Sequence, residues 1–408
     1  MVSKRKYIFT IIVVVLLTAF VTLTLGNVFM VEIGQKVIIS ENTYRKLKEM
    51  HDKYAKLENI MQIVHKEFLY EADDETMLEG ALAGSLKALG DPYTQYLSKE
   101  EYAALRQDTE GSYEGIGVYI APSDDNKILI VSPIEDTPAE KAGLKTGDKI
   151  IRINGTEFTA EQIDAAVKIM KGEPGTSVTL TIQRVDSNGE HGIFDVDVNR
   201  ETIKIKSIKA AMIEDNIGYI RITSFDMQTE KDFNNAYKTL KNKGMEGLII
   251  DLRYNPGGMI DSTVEITNMF LDEGIVTYTK TKSGEIQYYK SDSSKEDIPL
   301  VLLINEGSAS ASEIMAGAMK DTERAILIGT KTFGKGIVQK VQRFGNEGEG
   351  IKMTVSEYFT PNGINIHGIG IEPDIEVQLN EDAEGYGYEF YETDNQLQKA
   401  VEVLKEKQ

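Results

Sequence analysis

Three short apolar runs constrain this chain more than anything else in it, because each empties into a turn of small residues and then changes texture. Gly247-Leu-Ile-Ile-Asp-Leu-Arg253 ends in Asn255-Pro-Gly-Gly258, and a helical stretch through Val264, Ile266 and Phe270 follows. Pro299-Leu-Val-Leu-Leu-Ile-Asn305 runs into Gly307-Ser-Ala-Ser-Ala-Ser-Glu313, which opens a helix through Ile314, Met315 and Met319. Ala325-Ile-Leu-Ile-Gly329 leads into Thr332-Phe-Gly-Lys-Gly336 and on to Gln339. Ile217-Gly-Tyr-Ile-Arg-Ile222 adds a strand and Phe233 to Leu240 a helix. Strands alternating with helices indicate a layered α/β core. Beyond it come a strand pattern around Met353–Phe359, the turn Pro361-Asn-Gly363, and an acidic, tyrosine-bearing linker from Glu381 to Glu392. A last helix is expected over Asn395–Lys405, through Leu397, Ala400, Val401 and Leu404.

That core occupies less than half of 408 residues, a length that accommodates two or three domains. Lys4-Arg5-Lys6 precede an uncharged run from Tyr7 to Val31. A bilayer span needs roughly 20 residues and a signal-peptide core ~7–15, so this run is long enough to cross. Its one alanine is Ala19, so no A-x-A cleavage site is visible, and Thr24-Leu-Gly26 is a poor substitute. The run reads as an uncleaved anchor, with a cleaved signal peptide as the alternative, and the basic end places the remainder outside the cytoplasm. Over residues 41–70, Leu47, Met50, Tyr54, Leu57, Met61, Val64 and Phe68 alternate by three and four, the seam of a heptad helix. Such a seam fits a homodimer through this region or a helix packed on its own protein. Thr76 to Leu105 is again helical, interrupted by the turn Gly90-Asp-Pro-Tyr93.

From Gly111 the texture turns to short strands and glycine turns. Gly115-Ile-Gly-Val-Tyr-Ile120 and Ile128-Leu-Ile-Val131 read as strands. Thr137-Pro-Ala-Glu140 reads as a capping box with proline at the first helical position. Asp148–Ile153 is a strand turning at Asn154-Gly155, Thr159-Ala-Glu-Gln162 caps a second helix, and Val178–Arg184 is another strand. This order resembles a PDZ domain. The resemblance makes Gly115, Ile116, Gly117 and Val118 the loop that binds a peptide's terminal carboxylate. Glycines let backbone N–H groups converge on an anion, and the peptide then adds as an edge strand.

Composition excludes several chemistries. A formal net charge of -20 repels nucleic acid rather than binding it. No cysteine is present, which removes thiol nucleophiles, disulfides and thiolate metal sites. The four histidines, His51, His65, His191 and His367, form no H-E-x-x-H pattern. Gly329-Thr-Lys-Thr-Phe-Gly-Lys335 nearly matches a phosphate loop. Gly336 stands where that loop needs a hydroxyl, and a strand rather than a helix follows.

What remains is a serine turn. Ser310-Ala-Ser-Glu313 is itself a capping box, so a helix N-cap is the simpler reading of Ser310. The same position suits a nucleophile, exposed beside free backbone N–H groups and the positive end of a helix dipole. A serine hydroxyl needs a base. A histidine stays open for that role, although none lies near a motif and His367 alone falls in the core. Lysine serves when burial lowers its pKa, and Lys335 between two glycines is a candidate. On a strand, Lys335, Ile337 and Gln339 would share a face, letting Gln339 hold the amine.

The run Ser308-Ala-Ser-Ala-Ser-Glu-Ile314, with Thr332-Phe-Gly-Lys-Gly336 and Gln339, resembles the carboxyl-terminal processing peptidases, or tail-specific proteases. Asp91-Pro-Tyr93, Gly115-Ile-Gly117, Gly218-Tyr-Ile220, Asp251-Leu-Arg253, Asn255-Pro-Gly-Gly258, Pro361-Asn-Gly363, Gly370-Ile371 and Pro373-Asp374 belong to the same set. The resemblance implies Ser310 as nucleophile, Lys335 as general base and Gln339 as its partner, without cofactor or metal. It implies an α+β chain with a crotonase-like layered peptidase core. The amides of Gly258 and Ala311 are expected at the oxyanion. Expected boundaries are a basic end and membrane anchor at 1–31, a helical region at 32–110, the PDZ domain at 111–200, the core at 201–380, and linker plus helix at 381–408. The implied activity is a membrane-anchored serine endopeptidase acting on proteins with a free C-terminal tail. The competing reading is a membrane-anchored PDZ adaptor with a non-catalytic core.

Overall fold

The computed structural model describes residues 4–28, 31–33, 36–185, 191–214, 216–293, 295–345 and 348–407. It divides into two units, Met1–Ser85 and Leu86–Gln408. In the first, α1 (Lys4–Val28) carries the uncharged run from Tyr7 as far as Val28; residues 29 and 30 lie outside the described residues. Its Lys4–Thr22 portion is the one helix among the described residues long and apolar enough to cross a membrane. Helix α2 (Glu41–Glu67) starts where the Ser40 hydroxyl accepts the Thr43 N–H. Leu47, Met50 and Tyr54 of its apolar stripe are exposed. Helix α3 (Asp74–Lys87) follows.

In the second unit, α4 (Lys99–Glu110) is capped by Ser98 and stopped by Gly111 in the left-handed region. The β-rich segment after it is one antiparallel sheet. Its order is His191–Asn199, Ser177–Val185, Lys149–Ile153, Ile128–Pro133, then Val118–Pro122 at the edge. Helices α5 (Pro138–Lys141) and α6 (Ile163–Met170) close a core built on Ile128, Ile130, Ile150, Leu180 and Ile182. The strands entering and leaving the segment, Ser112–Gly115 and Glu201–Lys204, pair with each other. Two local expectations change. Gly115–Ile120 is not one strand, because the chain breaks at Ile116-Gly117 between two of them. Thr137 does not cap α5 through its side chain. Its hydroxyl lies within hydrogen-bonding distance of the carbonyls of Ile134 and Gly117 instead, holding that break in place.

The layered core is a sheet of six strands, ordered Ile208–Met212, Ile217–Ile222, Gly247–Asp251, Leu300–Ile304, Ile326–Gly329 and Ile375–Glu376. The first pair is antiparallel and the rest parallel. Alternate residues serve opposite faces. Leu248, Ile250, Leu300 and Leu302 pack with α7 (Thr229–Asn242), α8 (Ile260–Asn268) and α9 (Ala311–Asp321). Ile249, Val301 and Leu303 pack with α10 (Asn395–Lys405), whose Leu397, Val401 and Leu404 are buried. Burial of each such side chain stabilises by roughly 1.5–3 kcal/mol. Coverage on both faces explains why these strands read as continuous apolar runs.

A second sheet runs Ile286–Ser291, Gly274–Thr281, Gly350–Phe359, Ile337–Arg343, and the short strand Gln95–Leu97 adds to Gly350–Lys352. The stretch read as an acidic linker is instead docked on the core. Tyr386 packs on Tyr254 with ring centroids 4.9 Å apart. Asp394, fully buried, accepts from the Gly387 N–H and from both terminal nitrogens of Arg253.

Candidate active site

Asn255, Ser310 and Lys335 all follow the carboxyl ends of neighbouring parallel strands, where open α/β sheets place their ligand crevices. After Leu300–Ile304 the chain turns through three serines. Ser308 is buried and its hydroxyl donates to the Leu252 carbonyl at 2.8 Å. Ser312 is buried and donates to the Asn255 carbonyl at 2.9 Å. Ser310 differs in every respect. It is partly exposed, sits at φ 54°, and its side chain makes no capping hydrogen bond to α9. Positive φ in a non-glycine residue is uncommon, and such strain collects at functional sites.

The expected cap is therefore made another way. The Glu313 N–H donates to the Ser310 carbonyl at 2.8 Å, and the Ser310 N–H donates to Glu313 Oε2 at 2.9 Å. The Glu313 carboxylate is fully buried and reaches beyond its own helix. It also accepts from the Lys335 N–H at 2.8 Å, the Gly334 N–H at 2.7 Å and the Thr332 hydroxyl at 2.6 Å. One side chain thus ties the serine turn to the lysine turn. Tyr358 braces the same corner, its hydroxyl donating to the Ser310 carbonyl at 3.0 Å. In the sequence the S-x-x-E spacing marks Glu313 only as a capping partner, because the donors at 332–335 arrive through tertiary folding.

Lys335 lies in the loop before the strand Ile337–Arg343 and is half-buried. Burial lowers its pKa below the usual lysine value, Lys352 lowers it further, and Glu313 opposes both. The expected shared strand face with Gln339 is not formed. Lys335 precedes the strand, and a bulge between Val338 and Gln339 breaks the alternation. Gln339 Nε2 is nonetheless buried without a hydrogen-bond partner, a costly state for a polar atom. Gly336 has a steric reason, since a Cβ there would meet the His367 backbone nitrogen at 2.5 Å. The His367 side chain itself is exposed.

The Asn255-Pro-Gly-Gly258 turn packs on the serine turn, with Ala309 N–H donating to the Asn255 carbonyl at 3.0 Å. Gly257 is the glycine nearest the serine, for a Cβ there would meet Ala311 N at 2.8 Å and Ser310 Cβ at 2.9 Å. Its own N–H donates to Asn255 Oδ1 at 2.8 Å. Ala311 is the first residue of α9, where a backbone N–H has no intrahelical acceptor. In the β-rich segment, Gly115, Ile116, Gly117 and Val118 line a cleft of about 150 Å³ with Val167, Met170 and Lys171.

This fold and site define a serine-type peptidase with an attached PDZ domain. Residues 216–377 match peptidase family S41, residues 129–184 match the PDZ domain, and residues 20–101 match the activating protease CtpB N-terminal domain. A carboxy-terminal-processing protease of Bartonella bacilliformis is 38% identical over 85% of this chain and 79% of its own length. The carboxy-terminal processing protease CtpA of Bacillus subtilis is 36% identical over 80% of this chain and 69% of its own. A putative S41 protease from Bacteroides fragilis shares the fold at a TM-score of 0.51 and 17% identity, covering 85% of this chain and 97% of that one. The chain belongs to peptidase family S41, among its carboxy-terminal processing proteases.

Proposed function

We propose that this chain is a membrane-anchored serine endopeptidase whose Ser310–Lys335 dyad hydrolyses proteins with a free C-terminal tail. The observation that carries the reading is the division of labour among the serines. Ser308 and Ser312 spend their hydroxyls on main-chain carbonyls, whereas Ser310 stands strained and partly exposed on the carboxylate that also holds Lys335. Neutral Lys335 takes the Ser310 proton as Oγ attacks the scissile carbonyl. The amides of Gly258 and Ala311 stabilise the oxyanion; Gly257 is the poorer candidate because its N–H already serves Asn255. The lysine ammonium returns its proton to the leaving amine, and water then hydrolyses the acyl-enzyme with Lys335 again as base. Gln339 is the base's partner in this reading, its buried amide nitrogen having no other hydrogen bond to satisfy.

In the same reading residues 1–31 are the basic end and anchor, with 7–31 in the membrane and the remainder outside the cytoplasm. Residues 32–110 form the helical region, and the exposed stripe of α2 supports pairing of two copies through it. Residues 111–200 are the PDZ domain, whose Gly115–Val118 loop takes the tail's carboxylate while the free edge Val118–Pro122 accepts it as an added strand. Residues 201–380 form the crotonase-like core, and 381–408 its docked tail. The test is cleavage of an unstructured polypeptide with a free or an amidated C-terminus by the full-length protein in detergent. The free form is expected to be cut faster, and Ser310→Ala to cut neither. Equal rates on the two termini contradict tail capture, and cleavage by Ser310→Ala contradicts the nucleophile.

A further inference from the structure

The turn Gly90-Asp-Pro-Tyr93 lies far from the dyad in sequence, and nothing in the mechanism above uses it. The structure brings it to the lysine. Lys335 Nζ sits 4.8 Å from the centroid of the Tyr93 ring. The ring is held there by a tight local network. Asp91 Oδ1 accepts the Tyr93 N–H at 3.0 Å, and Asp91 Oδ2 accepts the Thr94 hydroxyl at 2.6 Å. Thr94 Oγ1 in turn accepts the Thr354 N–H at 3.1 Å, and Gln95–Leu97 pairs with Gly350–Lys352. Tyr93 is thereby fastened to the strand that carries Lys352 and that pairs Thr354 with Gln339.

We propose that Tyr93 is a positioning residue for the base: its ring face seats the Lys335 amine and sets how readily that amine gives up its proton. The face of an aromatic ring is electron-rich and attracts an ammonium but not a neutral amine. Tyr93 therefore favours protonated Lys335, together with the buried Glu313 carboxylate on α9. Burial and Lys352, on the strand Gly350–Phe359, act in the opposite sense. Tyr358 at this corner is kept neutral because burial and then Glu313 push its phenol well above the ordinary value. Asp91, which holds the Tyr93 N–H, lies below the usual carboxylate range, burial opposing hydrogen bonds from Thr94, Thr354 and the Tyr93 N–H and the nearby charge of His367. The ring thus tempers a site that would otherwise drive the lysine further toward the amine. It does so from a segment that precedes the PDZ domain in the chain.

This inference rests on Lys335 being the base, and its test separates the two. The readout is the acid limb of kcat/KM for the full-length protein in detergent, with a fluorogenic unstructured polypeptide bearing a free C-terminus. Tyr93→Leu keeps apolar bulk and removes the ring, so the limb is expected to move toward lower pH by about half a unit. The high-pH plateau is expected to fall several-fold as the amine loses its seat. Tyr93→Phe keeps the ring and is expected to keep the wild-type limb position, which a role for the hydroxyl would not allow. A limb that stays put in Tyr93→Leu, or moves equally in Tyr93→Phe, overturns the proposal. Should Tyr93→Leu fold poorly, Tyr93→Met is read instead by the same criterion. Activity surviving in Lys335→Ala overturns the dyad itself; an inactive Lys335→Ala with an unmoved Tyr93→Leu limb overturns the role of the ring alone.

Discussion

Two cations in the core, Arg253 and Lys335, follow neighbouring structural themes and end with opposite chemistry. Burial works against the charge on each. Arg253 nevertheless stays charged, well above its ordinary pKa, because its side chain, 1% exposed, lies between Asp251 and Asp394. Lys335 is half-buried, faces Lys352 and an aromatic ring, and meets its one carboxylate, Glu313, through the backbone N–H. Its pKa falls. The difference teaches that burial alone does not make a base. What matters is whether the carboxylates nearby are aimed at the side-chain charge or at the main chain around it. Arg253 is a tie between the sheet and the docked tail, while Lys335 is left with a proton it can lose.

The comparison can be broken most forcefully at Arg253. Arg253→Met leaves Asp251 and Asp394 buried without their partner, and removing one side of a buried pair costs about 3–5 kcal/mol. Urea unfolding of the full-length protein in detergent is expected to show that loss. A variant as stable as the wild type would mean that the tail does not depend on this tie. Glu313→Gln gives a smaller effect of a different kind. The amide retains one acceptor oxygen but presents a donor to N–H groups that now donate to Oε1 or Oε2. Misplacing the two turns by a fraction of an ångström is expected to lower kcat on the order of 100-fold, with KM little changed. If kcat holds while KM rises, Glu313 serves binding rather than the dyad.

The same contrast shows what was legible in the amino-acid sequence and what was not. Local periodicity carried the strands around Leu300–Ile304 and the helix over Asn395–Lys405, because both are dictated by runs of neighbouring residues. The dipeptide Asn154-Gly155 likewise signalled its hairpin, with φ of 50° and 80° at the two positions. Features that depend on distant partners were hidden. Gln95–Leu97 is a strand only because Gly350–Lys352 lies beside it. Charge made 381–392 look like a linker, although Tyr386 and the following turn are fixed by Tyr254 and Arg253 in the turn after the strand Gly247–Asp251. At the site, residue types and spacing offered Ser310 as a helix cap or a nucleophile, with Lys335 and Gln339 as candidates beside it. Only the resemblance to the carboxyl-terminal processing peptidases chose Ser310 among the three serines. The carboxylate that joins their turns, and the ring beneath the amine, come from folding across some twenty and more than two hundred residues.

If Lys335 works as a neutral amine on Ser310, the pH dependence of kcat/KM carries its titration and that of Lys335→Arg does not. Only the deprotonated lysine accepts the serine proton. The rate should therefore climb about tenfold per pH unit below the lowered lysine pKa, and level off above it. Lys335→Arg keeps the charge but cannot shed it, and should cleave on the order of 1,000-fold more slowly at every pH. A wild-type rate that shows no tenfold-per-unit fall on the acid side of its plateau, or a Lys335→Arg protein within about tenfold of the wild type, would contradict the account.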